Sequence, residues 1–137
     1  MHAKKLTLLI LALLALAVML TACGRKTIVV NDYLSLELSG YDPIGIAKSH
    51  LDWEKLVEDN LEVFGLEDMD DPELGPVLLR LDRALRGSFD QQYNLKNGDQ
   101  ITYHWNTSKI ASLEEKYNAT FVLEDKTFTV SGLKPFH

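Results

Sequence analysis

The feature that most constrains this chain is an apolar segment that ends at its only cysteine, Cys23. Lys4 and Lys5 precede an apolar run over residues 6–19 that only Thr7 interrupts. A basic start, an apolar stretch of this length and small residues before a cleavage point are typical of a secretory signal. The run is shorter than the roughly 20 residues that a membrane-spanning helix needs. The segment is therefore predicted to direct export.

The sequence Leu20, Thr21, Ala22, Cys23 resembles the bacterial lipobox at all four positions. The resemblance implies that the Cys23 thiol receives a diacylglyceryl group and that a peptidase cuts between Ala22 and Cys23. Two acyl chains anchor a protein stably, whereas one chain gives only marginal binding. We therefore expect a lipoprotein held at the cell membrane, on its extracytoplasmic face, without a membrane-spanning helix. The alternatives are an uncleaved signal anchor and a plain secretory signal that ends at Ala22.

Cleavage at this point would divide the chain into three parts. These are a signal peptide over residues 1–22, a lipidated tether over 23–26 and a single extracytoplasmic domain over 27–137. A domain of this size can bury one hydrophobic core. The tether reaches only about 10 Å, so we expect the domain to lie close to the bilayer.

The mature part of the chain is strongly acidic. The whole sequence has 14 Lys and Arg against 20 Asp and Glu, and two of the lysines lie in the signal peptide, which leaves a net charge of −8. Nucleic-acid phosphates would repel such a surface, so no nucleic-acid partner is expected. Anionic lipid would also be repelled, except at Arg25 and Lys26, and we expect the acidic side to point away from the membrane.

Strand patterns separated by turns dominate the rest of the sequence. Runs of β-branched residues or apolar alternation predict strands over 27–39, 44–51, 100–106, 119–123 and 127–131. The first two are expected to pair with each other, and the last two to form a hairpin. Residues 76–90 fit both helical and strand spacing, and we favour a helical turn over 76–80 followed by a strand to residue 90.

Two other segments have the apolar spacing of helices. Asp52 can cap a helix over residues 53–64, which has one apolar stripe, and Gly65 can end it. A second helix is predicted from a cap at Thr107 or Ser108 to residue 117.

Residues 31–47, 95–103 and 126–133 consist of turns and strand edges. Together they resemble an uncharacterised domain that recurs in exported proteins and lipoproteins of Gram-positive bacteria. The resemblance implies no catalytic residue. The family pattern commonly continues with Gly-Tyr-Gly after Gly-Tyr-Asp, where this chain has Pro43, Ile44 and Gly45.

The predicted fold is mainly β. The spacing of Leu95, Gly98, Asp99, Ile101 and Tyr103 resembles the corner that leads into a late strand of immunoglobulin-like sandwiches. Together with the short strands, it predicts an immunoglobulin-like β-sandwich with inserted short helices. An α+β fold is the alternative, because the helix over 53–64 is long for a sandwich.

No catalytic or metal-binding motif occurs in the sequence. His50, His104 and His137 are too scattered for metal-ligand spacing, and His50 is expected to be partly exposed instead of forming a dyad with Asp52. Five carboxylates over residues 67–73 could hold calcium, but a solvated charge run is the favoured interpretation. We predict no catalytic residue, no metal ligand and no cofactor.

These patterns predict a membrane-anchored extracytoplasmic lipoprotein that acts as a non-enzymatic binding or envelope-support module. A calcium-dependent module or a small envelope enzyme is the alternative. The partner is expected to be a protein or a glycan. The acidic face over 52–73 and the loop over 40–46 are the expected contact surfaces.

Overall fold

A computed structural model describes residues 25–136 of the chain. The predicted lipidation at Cys23 and cleavage at Ala22 lie outside this range and stay predictions. Within it, no helix combines the length and the apolar character needed to cross a bilayer.

More of the described residues lie in strands than in helices. The strands are β1 Lys26–Val29, β2 Leu34–Ser39, β3 Tyr41–Asp42, β4 Ile46–Leu51, β5 Arg86–Phe89, β6 Gln100–Asn106, β7 Ala119–Val122, β8 Lys126–Thr129 and β9 Lys134–Pro135. The α-helices are α1 Trp53–Glu58, α2 Leu74–Ala84 and α3 Ile110–Tyr117. The fold is therefore mainly β or α+β.

The strands of the described range form four small sheets. Strands β2 and β4 pair antiparallel with Leu34 opposite Leu51, which confirms the predicted pairing. Strands β5, β6 and β8 form an antiparallel sheet in that order. Two parallel pairs, β1 with β7 and β3 with β9, join distant parts of the chain.

The predicted hairpin over 119–131 is wrong, because β7 pairs with β1 and β8 pairs with β6. The link between β7 and β8 is held by Asn31, whose side-chain amide donates to the Glu124 carbonyl at 2.6 Å and accepts from the Glu124 amide at 2.9 Å. Asn31 belongs to a 3-10 turn, Val30–Tyr33, that also divides the strand predicted over 27–39. Its contacts accompany the change from one sheet to another.

Helix α1 begins at the predicted cap, since the Asp52 carboxylate accepts from the Lys55 amide at 3.0 Å. It ends at Glu58 instead of residue 64, and turns follow. The buried side chain of Asn60 donates to the Leu56 carbonyl at 2.8 Å. Such local bonding competes with a regular helix, and it occurs just where α1 stops.

The ambiguous segment over 76–90 forms a longer helix than predicted. Helix α2 continues to Ala84 because Val77 and Leu81 are buried on one of its faces, and β5 follows. Helix α3 begins without a side-chain cap, since Thr107 contributes only its backbone carbonyl, which accepts from the Ile110 amide. The predicted cap at Thr107 or Ser108 is therefore wrong.

Two apolar clusters form the core. One lies among the three helices, β1 and β7 and includes Ile28, Leu56, Val57, Leu81, Leu113 and Phe121. The other lies between the β2–β4 pair and the three-stranded sheet and includes Leu34, Ala47, Phe89, Ile101, Tyr103 and Val130. Leu51 and Trp105 pack against both clusters, which joins the helical and the β part of the fold.

Candidate functional site

A groove of about 600 Å³ lies between α2 and α3. Arg80 of α2 donates to the Tyr117 hydroxyl at the end of α3, while Arg83 and Ala84 lie beside Lys109 at its start. The two helices therefore run in opposite directions along the groove. The apolar side chains that line it are Pro76, Leu79, Ala84 and Leu113.

Four cations surround this apolar surface, and we call the site the cationic groove. They are Arg80, Arg83, Lys109 and Lys116. Arg80 and Arg83 are three residues apart in α2, so they share one helix face. Lys109 and Lys116 lie two turns apart at the two ends of α3, so they also face one side. Helix geometry thus gathers charges that are scattered in the sequence.

The charges of the groove are not neutralised within the described part of the chain. No carboxylate of residues 25–136 forms an ion pair with any of the four, whereas the neighbouring Arg86 pairs with Asp82 at 3.2 Å. A concave surface lined by one sign of charge concentrates its electrostatic potential. On a domain whose net charge is negative, the groove is therefore a local concentration of positive charge beside apolar side chains.

A second, polar depression of about 440 Å³ surrounds Tyr33. The Tyr33 hydroxyl donates to the Asp59 carboxylate at 2.8 Å, and Lys55 lies 3.0 Å from the other oxygen. Burial and the Asp59 carboxylate raise the pKa of Tyr33 to about 12, while the hydrogen bond from Tyr33 lowers the pKa of Asp59. The phenol is therefore protonated at neutral pH, where it donates its hydrogen bond to Asp59.

The structure does not bring His50 and Asp52 together as a dyad. The exposed His50 ring lies 3.9 Å from Glu37, on the neighbouring strand, while Asp52 caps α1. The exposed His104 of β6 lies 2.7 Å from the exposed Asp125, and His137 is outside the described residues.

The acidic segment, residues 67–73, binds its own backbone. Asp68 accepts from the Asp70 amide at 2.9 Å, and Asp71 accepts from the amides of Glu73 and Glu67 at 2.9 and 3.3 Å. Within residues 25–136, no group of three or more histidine or acidic side chains is arranged to hold a metal ion. The carboxylates of Asp68 and Asp71 therefore shape the loop.

The predicted contact loop over 40–46 is exposed at its apolar side chains. Tyr41 and Ile44 are about half exposed, and the Tyr41 ring lies edge-on to the exposed Phe136 at 6.1 Å. These three side chains form a small apolar patch, and none of them lines the cationic groove.

Comparison with known proteins finds no matching family model, no similar curated protein and no similar solved structure. The cationic groove was not predicted from the sequence. Its signal was present in the three-residue spacing of Arg80 and Arg83 and the seven-residue spacing of Lys109 and Lys116. The four cations form one site only because α2 packs beside α3.

Proposed function

We propose that the chain is a lipid-anchored, extracytoplasmic binding module with no catalytic role, and that the cationic groove is its contact surface. The lipobox residues support the anchor. The start of the fold supports a position close to the membrane, because β1 begins at Lys26 and leaves only Gly24 and Arg25 between it and Cys23. Two extended residues span roughly 7 Å.

The observation that carries the binding role is a set of four cations that surround an apolar floor and form no ion pair within residues 25–136. Arginine binds carboxylates and phosphates with two parallel hydrogen bonds, and Arg83 has no ion-pair partner in the described range that would compete. The apolar side chains beside it, such as Leu79, favour a partner that presents apolar surface next to its acidic groups.

The finer fold proposal is an immunoglobulin-like sandwich related to the uncharacterised Gram-positive domain. It is supported by the β2–β4 pair and the β5–β6–β8 sheet, which enclose a common apolar cluster. Residues 95–103 lead from a buried Leu95 into β6, as a sandwich corner would. Helices α1, α2 and α3 would then be insertions at one end.

The anchor is tested by replacing the cysteine. The native chain is expected in the membrane fraction, released by detergent but not by salt, with a mature mass that includes a diacylglyceryl group on Cys23. Cys23→Ser should remove the lipid and release the chain or leave it uncleaved. Ser108→Ala, a change far from the signal, is the matched control. A native chain that begins upstream of Cys23, or that salt washes off membranes, would contradict the proposal.

A further inference from the structure

We infer that the cationic groove is occupied by a second copy of this chain, related by a two-fold axis that sets the two α2 helices antiparallel. This inference rests on the part of the proposed function that makes the cationic groove a contact surface, and it names the partner that the groove binds. The interface itself does not involve the lipid anchor, and only the cysteine test below uses the proposed lipidation of Cys23.

The first argument is the distribution of charge along α2. The acidic segment, residues 67–73, lies immediately before the helix, while Arg80 and Arg83 lie in its second half. In an antiparallel pair the acidic end of each helix faces the basic end of the other. A two-fold axis forms each such contact twice, because both copies use the same surface.

The register follows from the length of the helix. Leu79 is the central residue of Leu74–Ala84, so a two-fold axis beside it places Arg83 opposite Gly75. Each residue rises 1.5 Å along a helix, and Glu73 therefore lies about 3 Å along the axis from that point. Lys109, which lines the groove beside Arg83, reaches the same end of the partner.

The apolar part of the surface matches this register. Leu79 is 50% exposed, although it lies in the middle of a helix whose opposite face is buried. The groove beside it is floored by Leu113, and its volume of about 600 Å³ can receive the partner's Leu79. Pairing would cover the most exposed leucine of the described residues.

The acidic segment also favours a second copy over an anionic membrane or an anionic polymer as the partner of the groove. Asp70 and Glu73 lie in the segment that precedes α2, are exposed and form no ion pair within residues 25–136. An anionic membrane or an anionic polymer that extended from the groove along α2 would approach them. Like charges would then oppose binding. A second copy would place its carboxylates beside the cations of the groove and its own cations beside Asp70 and Glu73. Both sets of charges would then be paired.

The test uses the full chain in its own membranes. Because Cys23 is the only cysteine and is proposed to carry lipid, Leu79→Cys introduces one thiol at the two-fold axis, in a compartment where disulfides form. We expect Leu79→Cys to run as a covalent dimer without reductant. Ile44→Cys, which is 47% exposed on another surface, should stay monomeric. Membrane fractionation of the same cells reports the anchor separately.

Charge exchange tests the register. Arg83→Glu in the Leu79→Cys chain should lower the dimer yield about tenfold, since it replaces attraction by repulsion at both ends of the interface. Adding Glu73→Arg should restore the yield. Equal crosslinking of Leu79→Cys and Ile44→Cys, a product with another protein, or no rescue by Glu73→Arg would overturn the inference. The detergent-solubilised wild-type chain should also sediment as a dimer at low salt, and a monomer at all salt concentrations would overturn it.

Discussion

Tyr33 shows how one side chain takes its properties from its neighbours. Its hydroxyl donates to Asp59, and burial with that carboxylate raises the phenol pKa to about 12. A group whose folded pKa lies above the unfolded value of about 10 stabilises the fold below pH 10. That stabilisation is lost as the pH rises from about 10 through 12.

Asp59→Asn should therefore lower the pKa of Tyr33, because it removes the negative charge beside the phenol. Burial remains, so the pKa should stay above 10. Ultraviolet difference titration measures phenolate formation, and the spectrum of Tyr33→Phe identifies which signal belongs to this residue. An unchanged Tyr33 pKa in Asp59→Asn would show that burial alone sets it.

Gly87 occupies a position where the sheet has no room for a side chain. A Cβ there would lie 2.4 Å from the His104 carbonyl and 2.5 Å from the Tyr103 ring. Gly87→Ala should lower the free energy of unfolding by about 1–3 kcal/mol, the usual cost of overpacking. Gly75→Ala is the matched control, since Gly75 lies at the exposed start of α2 with nothing within 4 Å of an added Cβ, and it should change the free energy of unfolding by less than about 0.5 kcal/mol. Urea unfolding measures both, and equal effects would contradict the steric argument.

At the scale of elements, α2 is held by the face that points into the first apolar cluster. Leu81 is fully buried there. Leu81→Ala should lower the free energy of unfolding by about 2–5 kcal/mol, because it removes buried methyl groups and leaves a cavity. Ile44→Ala, at a half-exposed position, should cost less than about 1 kcal/mol. Similar midpoints in urea for the two variants would contradict this assignment of the core.

Local patterns predicted some elements well and others poorly. The antiparallel pairing of β2 with β4 was predictable because the two strands are close in sequence and alternate in register. The β1–β7 pair was not, because a parallel contact between residues 26 and 119 has no local signal. The hairpin that the sequence favoured is replaced by a link after β7 that the distant Asn31 holds through two hydrogen bonds. The end of α1 depended similarly on the burial of Asn60.

At the scale of the whole molecule, the surface has an acidic region and a basic region that the net charge does not show. The acidic segment and the cationic groove adjoin each other along α2, although the sequence alone indicates a uniformly acidic domain. The predicted contact face over 52–73 includes the acidic segment, whereas the groove was missed because its cations come from two helices far apart in sequence. The sequence shows which charges lie along one helix, but it does not show which charges the packing of two helices brings together.

The acidic segment also yields a prediction about calcium. The carboxylates of Asp68 and Asp71 already accept backbone amides of their own loop, whereas a calcium site needs six to eight oxygens directed at one point. Any divalent cation will screen the repulsion of a domain with this net charge. Calcium and magnesium at equal concentration should therefore raise the melting temperature of the native chain equally.

Scanning calorimetry without divalent cation, and with calcium or magnesium added to the same concentration, provides the measurement. Asp70→Asn, which removes one charge without touching a loop-forming carboxylate, should shift the two melting curves by the same amount. A rise specific to calcium that Asp70→Asn abolishes would contradict the expectation and favour a calcium-dependent module. The carboxylates of Asp68 and Asp71 keep acceptor sites beyond the backbone amides that they hold, so the comparison of calcium with magnesium, and not the hydrogen bonding alone, separates an electrostatic role of this segment from a ligating one.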